Sequence, residues 1–177
     1  MNTYNKVALA LGGNIGNTLE HFKRAINHLI ENGFIINKSS SVYTTPAVNC
    51  EQGANNFYNC VITGYWKNQP KELLSLCQKT ESSIGRPAKH SSNESRIIDI
   101  DIILFKNKTI NTNTLSIPHP RAHRRLFVLI PLNEIAASWS FPTLKSDTEV
   151  LLNSLKIKET ELYYKINNTK QKINLSL

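Results

Sequence analysis

Hydrophobic positions in this chain switch repeatedly between a period of two and a period near 3.6. Lys6 to Leu11 is a short apolar run ending in Gly12-Gly13-Asn14-Ile15-Gly16, which predicts a first strand running into a tight turn. Leu19, Phe22, Ala25, Ile26, Leu29 and Ile30 follow at helical spacing, with Asn17 or Thr18 as cap and Gly33 as stop. Phe34 to Thr45 is rich in β-branched residues and ends at Pro46, and Asn56 to Trp66 is the next such run. Two strands are therefore predicted, with a loop of about ten residues between them. Pro70 suits a first helical position, and Leu73, Leu74, Cys77, Glu81 and Ile84 repeat along one helical face up to Gly85. Arg96 to Phe105 (RIIDIDIILF) is the strongest strand signal in the chain.

The order strand, helix, strand, strand, helix, strand is that of a ferredoxin-like α+β fold, with helices packed on one face of an antiparallel sheet. After Phe105 come a turn-rich stretch, Ile117-Pro118-His119-Pro120, and a helical segment from about Arg121 to Ala136. Ser146-Asp147-Thr148-Glu149 has the form of a capping box before Val150, Leu151, Leu152 and Leu155, so a further helix is expected there. With no repeat and no linker in sight, residues 1–177 read as one domain. Its core runs from about 4 to 145, and 146–177 form a peripheral C-terminal extension whose last, Lys/Asn-rich residues are expected to fray.

Composition narrows the function. Of the 177 residues 40% are apolar and 19% charged, enough to bury a core and too little charge for a disordered tail. The net charge of +8 suits a polyanionic partner: nucleic acid, an acidic membrane surface or a phosphorylated small molecule. Cys50, Cys60 and Cys77 show no C-x-x-C spacing, which argues against a disulfide framework or zinc site and for reduced thiols in the cytoplasm. The N-terminal apolar run is cut by glycines, so no secretory signal is expected, and no run approaches the ~18 apolar residues of a membrane span.

Asp99 and Asp101 lie two apart on the strong strand and project from one face, roughly 6.5 to 7 Å apart at the backbone. Ile98, Ile100, Ile102 and Leu104 take the opposite face; Ile97, Ile103 and Phe105 share the face of the acids. Two readings are open: salt-bridged aspartates at a strand end, or a site for hard divalent cations that leaves room for phosphate oxygens. From Arg86 to Arg125 there are eight Lys and Arg (86, 89, 96, 106, 108, 121, 124, 125) against three acids, so most of the positive excess surrounds these carboxylates. His90, His119 and His123 lie in the same stretch. Carboxylates that hold a cation and guanidinium groups that clamp phosphoryl oxygens are what a metal-assisted polyphosphate site requires. The Gly12 to Gly16 turn matches neither a P-loop nor a complete dinucleotide-binding motif. Phe57, Tyr65 and Phe127 read as core by default. Asn59, on the same strand face as Phe57, needs partners for its amide; a planar heterocycle held by stacking and read by an amide satisfies both.

LALGGNIGN (9–17), YTTP (43–46), NFYN (56–59), ESSIGR (81–86), RIIDIDIILF (96–105) and IPHPRAHRRLFVLIPL (117–132), in this order and spacing, resemble the 6-hydroxymethyl-7,8-dihydropterin pyrophosphokinases of folate biosynthesis. The resemblance implies transfer of a diphosphate from ATP to the pterin hydroxymethyl group, with two Mg²⁺ ions held by Asp99 and Asp101. It places Gln78, Glu81, Lys89, Arg96, Ile102, Ser116, His119 and Arg125 at the nucleotide. Gly12, Thr45, Pro46, Val48, Phe57, Asn59 and Phe127 fall at the pterin, with the two phenylalanines sandwiching the ring. Arg86 and Arg96 bracket a loop expected to close over the phosphates, and they complete the catalytic set with the two aspartates. Ser92 and Asn93 stand where the family often has an arginine and a tryptophan, so a weaker clamp is expected. The implied partners are small molecules, with no nucleic acid or membrane and a monomeric enzyme. The rival readings are a ferredoxin-like RNA-binding module, which would need an aromatic-bearing strand motif absent here, and a metal-dependent nuclease.

Overall fold

The computed structural model describes residues 4–47, 55–87 and 95–171. Its elements are β1 (Asn5–Gly13), α1 (Thr18–Glu31), β2 (Ile35–Ser39), β3 (Tyr43–Thr45), β4 (Phe57–Trp66), α2 (Pro70–Ile84) and β5 (Asp99–Phe105). There follow β6 (Ile110–Asn111), β7 (Ser116–Ile117), α3 (Leu126–Ala136), β8 (Ser140–Phe141), β9 (Ser146–Asp147), α4 (Thr148–Lys158) and α5 (Thr160–Asn167). The main sheet runs β2-β4-β1-β5, with β3 also on β4, and every pairing in it is antiparallel. This is the expected α+β, ferredoxin-like arrangement. Asn17 caps α1 by accepting the Glu20 N–H at 3.3 Å, and Gly85 ends α2 in the left-handed conformation at φ 109°.

Alternation along β1 divides the molecule into two cores. Val7, Leu9 and Leu11 pack with Phe22, Ile26 and Leu29 of α1 and Leu73 and Cys77 of α2. Ala8 faces the other way, into a second core built by Leu126, Leu129 and Leu132 of α3 with Leu152 and Ile166 of the last two helices. The sheet is thus covered on both faces, not on one: α3 is apolar nearly all round and has to be enclosed. Small Ala8 and Ala10 on β1 let it sit close to the sheet.

Four further differences from the sequence reading have local causes. The run from Phe34 to Thr45 is two strands, because Ser40 interrupts it: its hydroxyl accepts the Val61 N–H at 2.9 Å and donates to the Ser41 carbonyl at 2.7 Å, replacing ladder bonds. β5 starts at Asp99, since the Arg96 carbonyl is taken by the N–H groups of Asn14 and Ile15. Within β5 the register shifts, Leu9 pairing Ile102 and Ala8 pairing Leu104, so Ile103 is an extra residue. Parity therefore breaks: Phe105 joins the helix-side core and Leu104 the second core, the reverse of the simple alternation. Finally, α3 begins only at Leu126, after a 3₁₀ turn at Ala122–Arg124, and α4 begins at Thr148 with Asp147 as cap residue. Asp147 makes no side-chain capping bond; instead the Thr148 hydroxyl donates to the Trp139 carbonyl at 2.9 Å.

The C-terminal residues are packed rather than frayed as far as Gln171. Ile166 is buried in the second core, and Gln171 makes a two-bond bridge to Val42. Cys60 and Cys77 are buried free thiols, and burial pushes both well above the usual thiol range; Cys50 lies outside the described residues. Among the described residues no helix is long and apolar enough to cross a membrane.

Candidate active site

Strand register sets the site. Tyr43, Asn59, Gly12 and Asp99 are successive cross-strand partners, so they lie on one line across four strands. At the usual strand spacing Asn59 and Asp99 are about 10 Å apart, separated by a residue without a side chain. A methyl group on Gly12 would stand 3.4 Å from Asn59 Oδ1. One pair further along, Ala10 lies between Val61 and Asp101. All these residues are on the α3 side of the sheet; Tyr43, Val61 and Ala10 are packed in the second core with α3, and along their edge lie an amide-and-aromatic end and a carboxylate end joined by a low saddle of main chain at Gly12.

At the carboxylate end Asp99 accepts from Arg86 Nη1 at 2.6 Å through one oxygen and from Arg96 Nη1 at 2.7 Å through the other. Arg86 also pairs with Glu81, whose carboxylate accepts the Ile100 N–H at 2.7 Å. Glu81 thereby pins the start of β5 from α2 and holds Arg86 toward Asp99. Burial pushes Glu81 up to about 7, outweighing the Ile100 N–H and Arg86. Asp101 is pushed up to about 6 by burial and by Asp99, against the pull of Arg125, Arg86 and Arg96. The donor set is hard oxygen, which fits a hard divalent cation. Asp99 and Asp101 would share it with ligand oxygens, because no cluster of three or more His, Cys, Asp or Glu suited to a metal occurs among the described residues.

His119 stands with Nε2 3.8 Å from Asp101 Oδ2. Burial, Arg125 and Arg121 push it down to about 4, so it is neutral at pH 7 and this contact is not an ion pair. Its Nδ1 accepts the Arg121 N–H at 3.2 Å, which leaves the proton on Nε2, directed toward the aspartate. The extra residue of β5 holds it there: the Ile103 carbonyl accepts the His119 N–H at 3.0 Å. Arg125 lies 5.4 Å from the ring centre of Phe127, and Arg96 lies 5.7 Å from that of Phe57, so a guanidinium rests on each of the two half-buried phenylalanines.

At the other end the Asn59 amide donates to Thr45 Oγ1 at 3.0 Å, which fixes its orientation and leaves one N–H and Oδ1 for a ligand. Pro46 is half-buried beside Thr45. Some expected residues stand differently. Ile102 sends its side chain into the helix-side core, so only its main chain can serve a ligand. Gln78 is exposed on α2, and Ser116 donates its hydroxyl to Asn111 at 3.2 Å in the β6–β7 hairpin. Val48, Lys89, His90, Ser92 and Asn93 lie outside the described residues, and with them most of the loop between Arg86 and Arg96.

The sequence reading missed Asn14. This buried side chain accepts the Arg96 N–H at 2.7 Å and donates to Ser95 Oγ and the Asn55 carbonyl, both at 3.1 Å. It joins the approach to Phe57 with the approach to Arg96. Its sole signal was a polar residue inside a glycine turn.

Fold and site define a ferredoxin-like protein that sets an amide and two phenylalanines beside two carboxylates and their arginines on one face of its sheet. Residues 8–137 match the model of the 7,8-dihydro-6-hydroxymethylpterin-pyrophosphokinase (HPPK) family, and the chain belongs to that family. It is 35% identical over 142 residues to a 2-amino-4-hydroxy-6-hydroxymethyldihydropteridine pyrophosphokinase of Bacillus subtilis, covering 80% of this chain and 84% of that one. A protein of the same name from Aquifex aeolicus is 38% identical over 129 residues, covering 73% and 79%. The chain spans only 22% of the folic acid synthesis protein FOL1 of Dictyostelium discoideum, to which it is 35% identical over 144 residues. Among solved structures, a wild-type Plasmodium falciparum HPPK-DHPS with pteroate superimposes with a TM-score of 0.72 at 17% identity, over 96% of this chain and 48% of that one, a likeness of fold.

Proposed function

We propose that this protein transfers the terminal diphosphate of ATP to the hydroxymethyl oxygen of 6-hydroxymethyl-7,8-dihydropterin, giving AMP and the pterin diphosphate, in folate biosynthesis. The observation that carries the reading is the line Asn59–Gly12–Asp99, an amide and a carboxylate on one sheet face with only a glycine between them. Family membership favours this over an RNA-binding module or a nuclease.

In this reading the pterin lies between Phe57 and Phe127, and Asn59, held by Thr45, reads its edge; Gly12 lets the ring approach β1. Pro46 and Val48 complete that pocket. Arg96 and Arg86 exchange part of their hold on Asp99 for phosphoryl oxygens of ATP, and Arg125 and Lys89 add positive charge. His119, neutral with its proton on Nε2, donates to a phosphoryl oxygen without adding charge. Gln78, Glu81, Ser116 and the Ile102 main chain complete the nucleotide side. Asp99 and Asp101 would hold Mg²⁺, two ions in this reading, which supplies charge neutralisation on the phosphates when bound. What the chain itself contributes is alignment: the saddle sets the hydroxymethyl oxygen against the β-phosphorus, and the arginines hold the phosphates in line. We further place the enzyme in the cytoplasm, a reading that the buried free thiols of Cys60 and Cys77 support, and read it as a monomer.

Phosphorus NMR of a reaction mixture with ATP, Mg²⁺ and the pterin tests the reading. AMP and a pterin diphosphate are the expected first products, and ADP as the first nucleotide product overturns it.

A further inference from the structure

β3 is a three-residue edge strand, yet it carries Thr45, the residue that orients the Asn59 amide. Its inner edge pairs with β4, where Tyr43, Thr44 and Thr45 face Asn59, Tyr58 and Phe57. Its outer edge is occupied by the chain's own C-terminal segment. Val42 and Gln171 exchange both backbone bonds, at 2.8 and 2.9 Å. Thr169 Oγ1 accepts the Thr44 N–H at 2.7 Å and shares its own proton between the carbonyls of Ile166 (2.7 Å) and Thr44 (3.2 Å). Lys170 Nζ lies 3.2 Å from Glu134 Oε1, and the same carboxylate takes the Ser41 N–H, the Ser41 hydroxyl and the Tyr43 hydroxyl at 2.8 to 3.0 Å. Its hydrogen bonds with Tyr43, Ser41 and Lys170 hold Glu134 below the usual carboxylate range against the effect of burial. None of residues 169–171 falls in the stretch matched by the family model, which ends at 137.

We propose that residues 169–171 form a strap that closes the free edge of β3 and positions Thr45, and through it the Asn59 amide, for the pterin, with Thr169 as the positioning residue. A short strand paired on one side only frays. Paired on both sides, Thr45 keeps Oγ1 at 3.0 Å from the Asn59 amide nitrogen, so the amide shows a ligand its free N–H and Oδ1 in a fixed order. The strap's bonds run to β3, to Ile166 and to Glu134 and not to Asp99 or Asp101, so its effect belongs to the pterin and not to ATP. The inference rests on the reading of Asn59 as the pterin contact.

The test uses the full chain with Thr169→Val, which keeps the shape and removes the hydroxyl, and Thr169→Ser, which restores it. Lys170→Ala, which removes only the ion pair, serves as a second probe. Calorimetry with the pterin and, separately, with a non-hydrolysable ATP analogue plus Mg²⁺ reads both ligands, and kinetics separate KM from kcat. Thr169→Val is expected to weaken the pterin roughly threefold to tenfold, the worth of one lost hydrogen bond. ATP affinity and kcat at saturating pterin stay at wild type, Thr169→Ser returns to wild type, and Lys170→Ala gives a smaller loss confined to the pterin. Unchanged pterin affinity in both Thr169→Val and Lys170→Ala, or equal losses for both ligands, overturns the strap. Asn59→Ala measured alongside distinguishes the two failures: if it too leaves pterin affinity intact, the reading of the pocket falls, and if it weakens the pterin while Thr169→Val does not, the strap alone falls.

Discussion

Replacing Asn14 by Ala removes three hydrogen bonds that converge on one buried amide: from the Arg96 N–H, to Ser95 Oγ and to the Asn55 carbonyl. Asn14 is only 4% exposed, although its partners are nearer solvent, so water replaces part of what is lost. At roughly 0.5 to 1.5 kcal/mol per bond, discounted for that water, the cost is about 2 to 3 kcal/mol of stability. For a domain of this size that lowers Tm by roughly 5 to 10 °C. The backbone bonds from Asn14 and Ile15 to the Arg96 carbonyl survive, so the chain still folds. What loosens is the placement of Arg96, and with it the ion pair to Asp99 at 2.7 Å and the contact with Phe57. A misplaced clamp costs roughly tenfold to hundredfold in kcat/KM. Asn14→Asp separates the contributions: it keeps an acceptor for the Arg96 N–H, and the Ser95 hydroxyl can turn to donate, but the Asn55 carbonyl then faces a carboxylate. That variant should be destabilised while retaining more activity than Asn14→Ala. Urea unfolding combined with steady-state kinetics on both substrates is the assay. An Asn14→Ala protein within about 0.5 kcal/mol of wild type and kinetically unchanged refutes the reasoning.

Three further outcomes are expected. Asp99→Asn and Asp101→Asn should each abolish turnover, and Asp101→Asn should leave metal-free stability undiminished because its carboxylate is already strained by burial; wild-type rates with Mg²⁺ in either variant would sink the metal assignment. Phe57→Ala and Asn59→Ala should weaken pterin binding by about 1 to 3 kcal/mol and ATP binding far less, as read by calorimetry on each ligand; equal losses would point to misfolding. Glu81 is raised from 4.5 to about 7, so the folded state holds an extra proton within that window, and the group's contribution to stability declines as pH rises through it. His119, lowered to about 4, works the opposite way, so the measurable quantity is a difference. Relative to wild type, Glu81→Gln should gain about 2 to 3 kcal/mol between pH 5 and pH 8 in urea unfolding, and a difference that stays flat contradicts the assignment.

The carboxylate pair was legible because it rests on parity: isoleucines at 98, 100 and 102 leave Asp99 and Asp101 one direction to point. Parity failed two residues later, at Ile103, because the extra residue is stabilised by the His119 N–H, a partner that no local pattern announces. Helix α2 was readable at both ends since proline and glycine act through their own backbone constraints. Ser40 split a β-branched run by side-chain bonding, which composition does not register. Asn14 and Arg96 are 82 residues apart, and in sequence each reads as an ordinary turn residue. The C-terminal segment holds on by backbone bonds, Thr169 and one ion pair, none of which leaves a hydrophobic period, so its polar composition read as frayed.

The extra residue in β5 also divides that strand into two stretches with separate tolerances. Upstream of Ile103 the side-chain directions are tied to the ligands, and downstream, at Leu104 and Phe105, they answer only to packing. Deleting Ile103 would make the alternation continuous, with Leu104 still opposite Ala8 and Phe105 still opposite Val7, so both would keep their cores and Asp99 and Asp101 their face; what would be lost is the carbonyl that holds His119. The strand therefore behaves as a joint between chemistry and scaffold. Volume changes at 104 and 105 can be absorbed by the cores without re-aiming the carboxylates, whereas a one-residue insertion or deletion before Asp99 cannot, because Arg96 is fixed to the end of β1 by three hydrogen bonds.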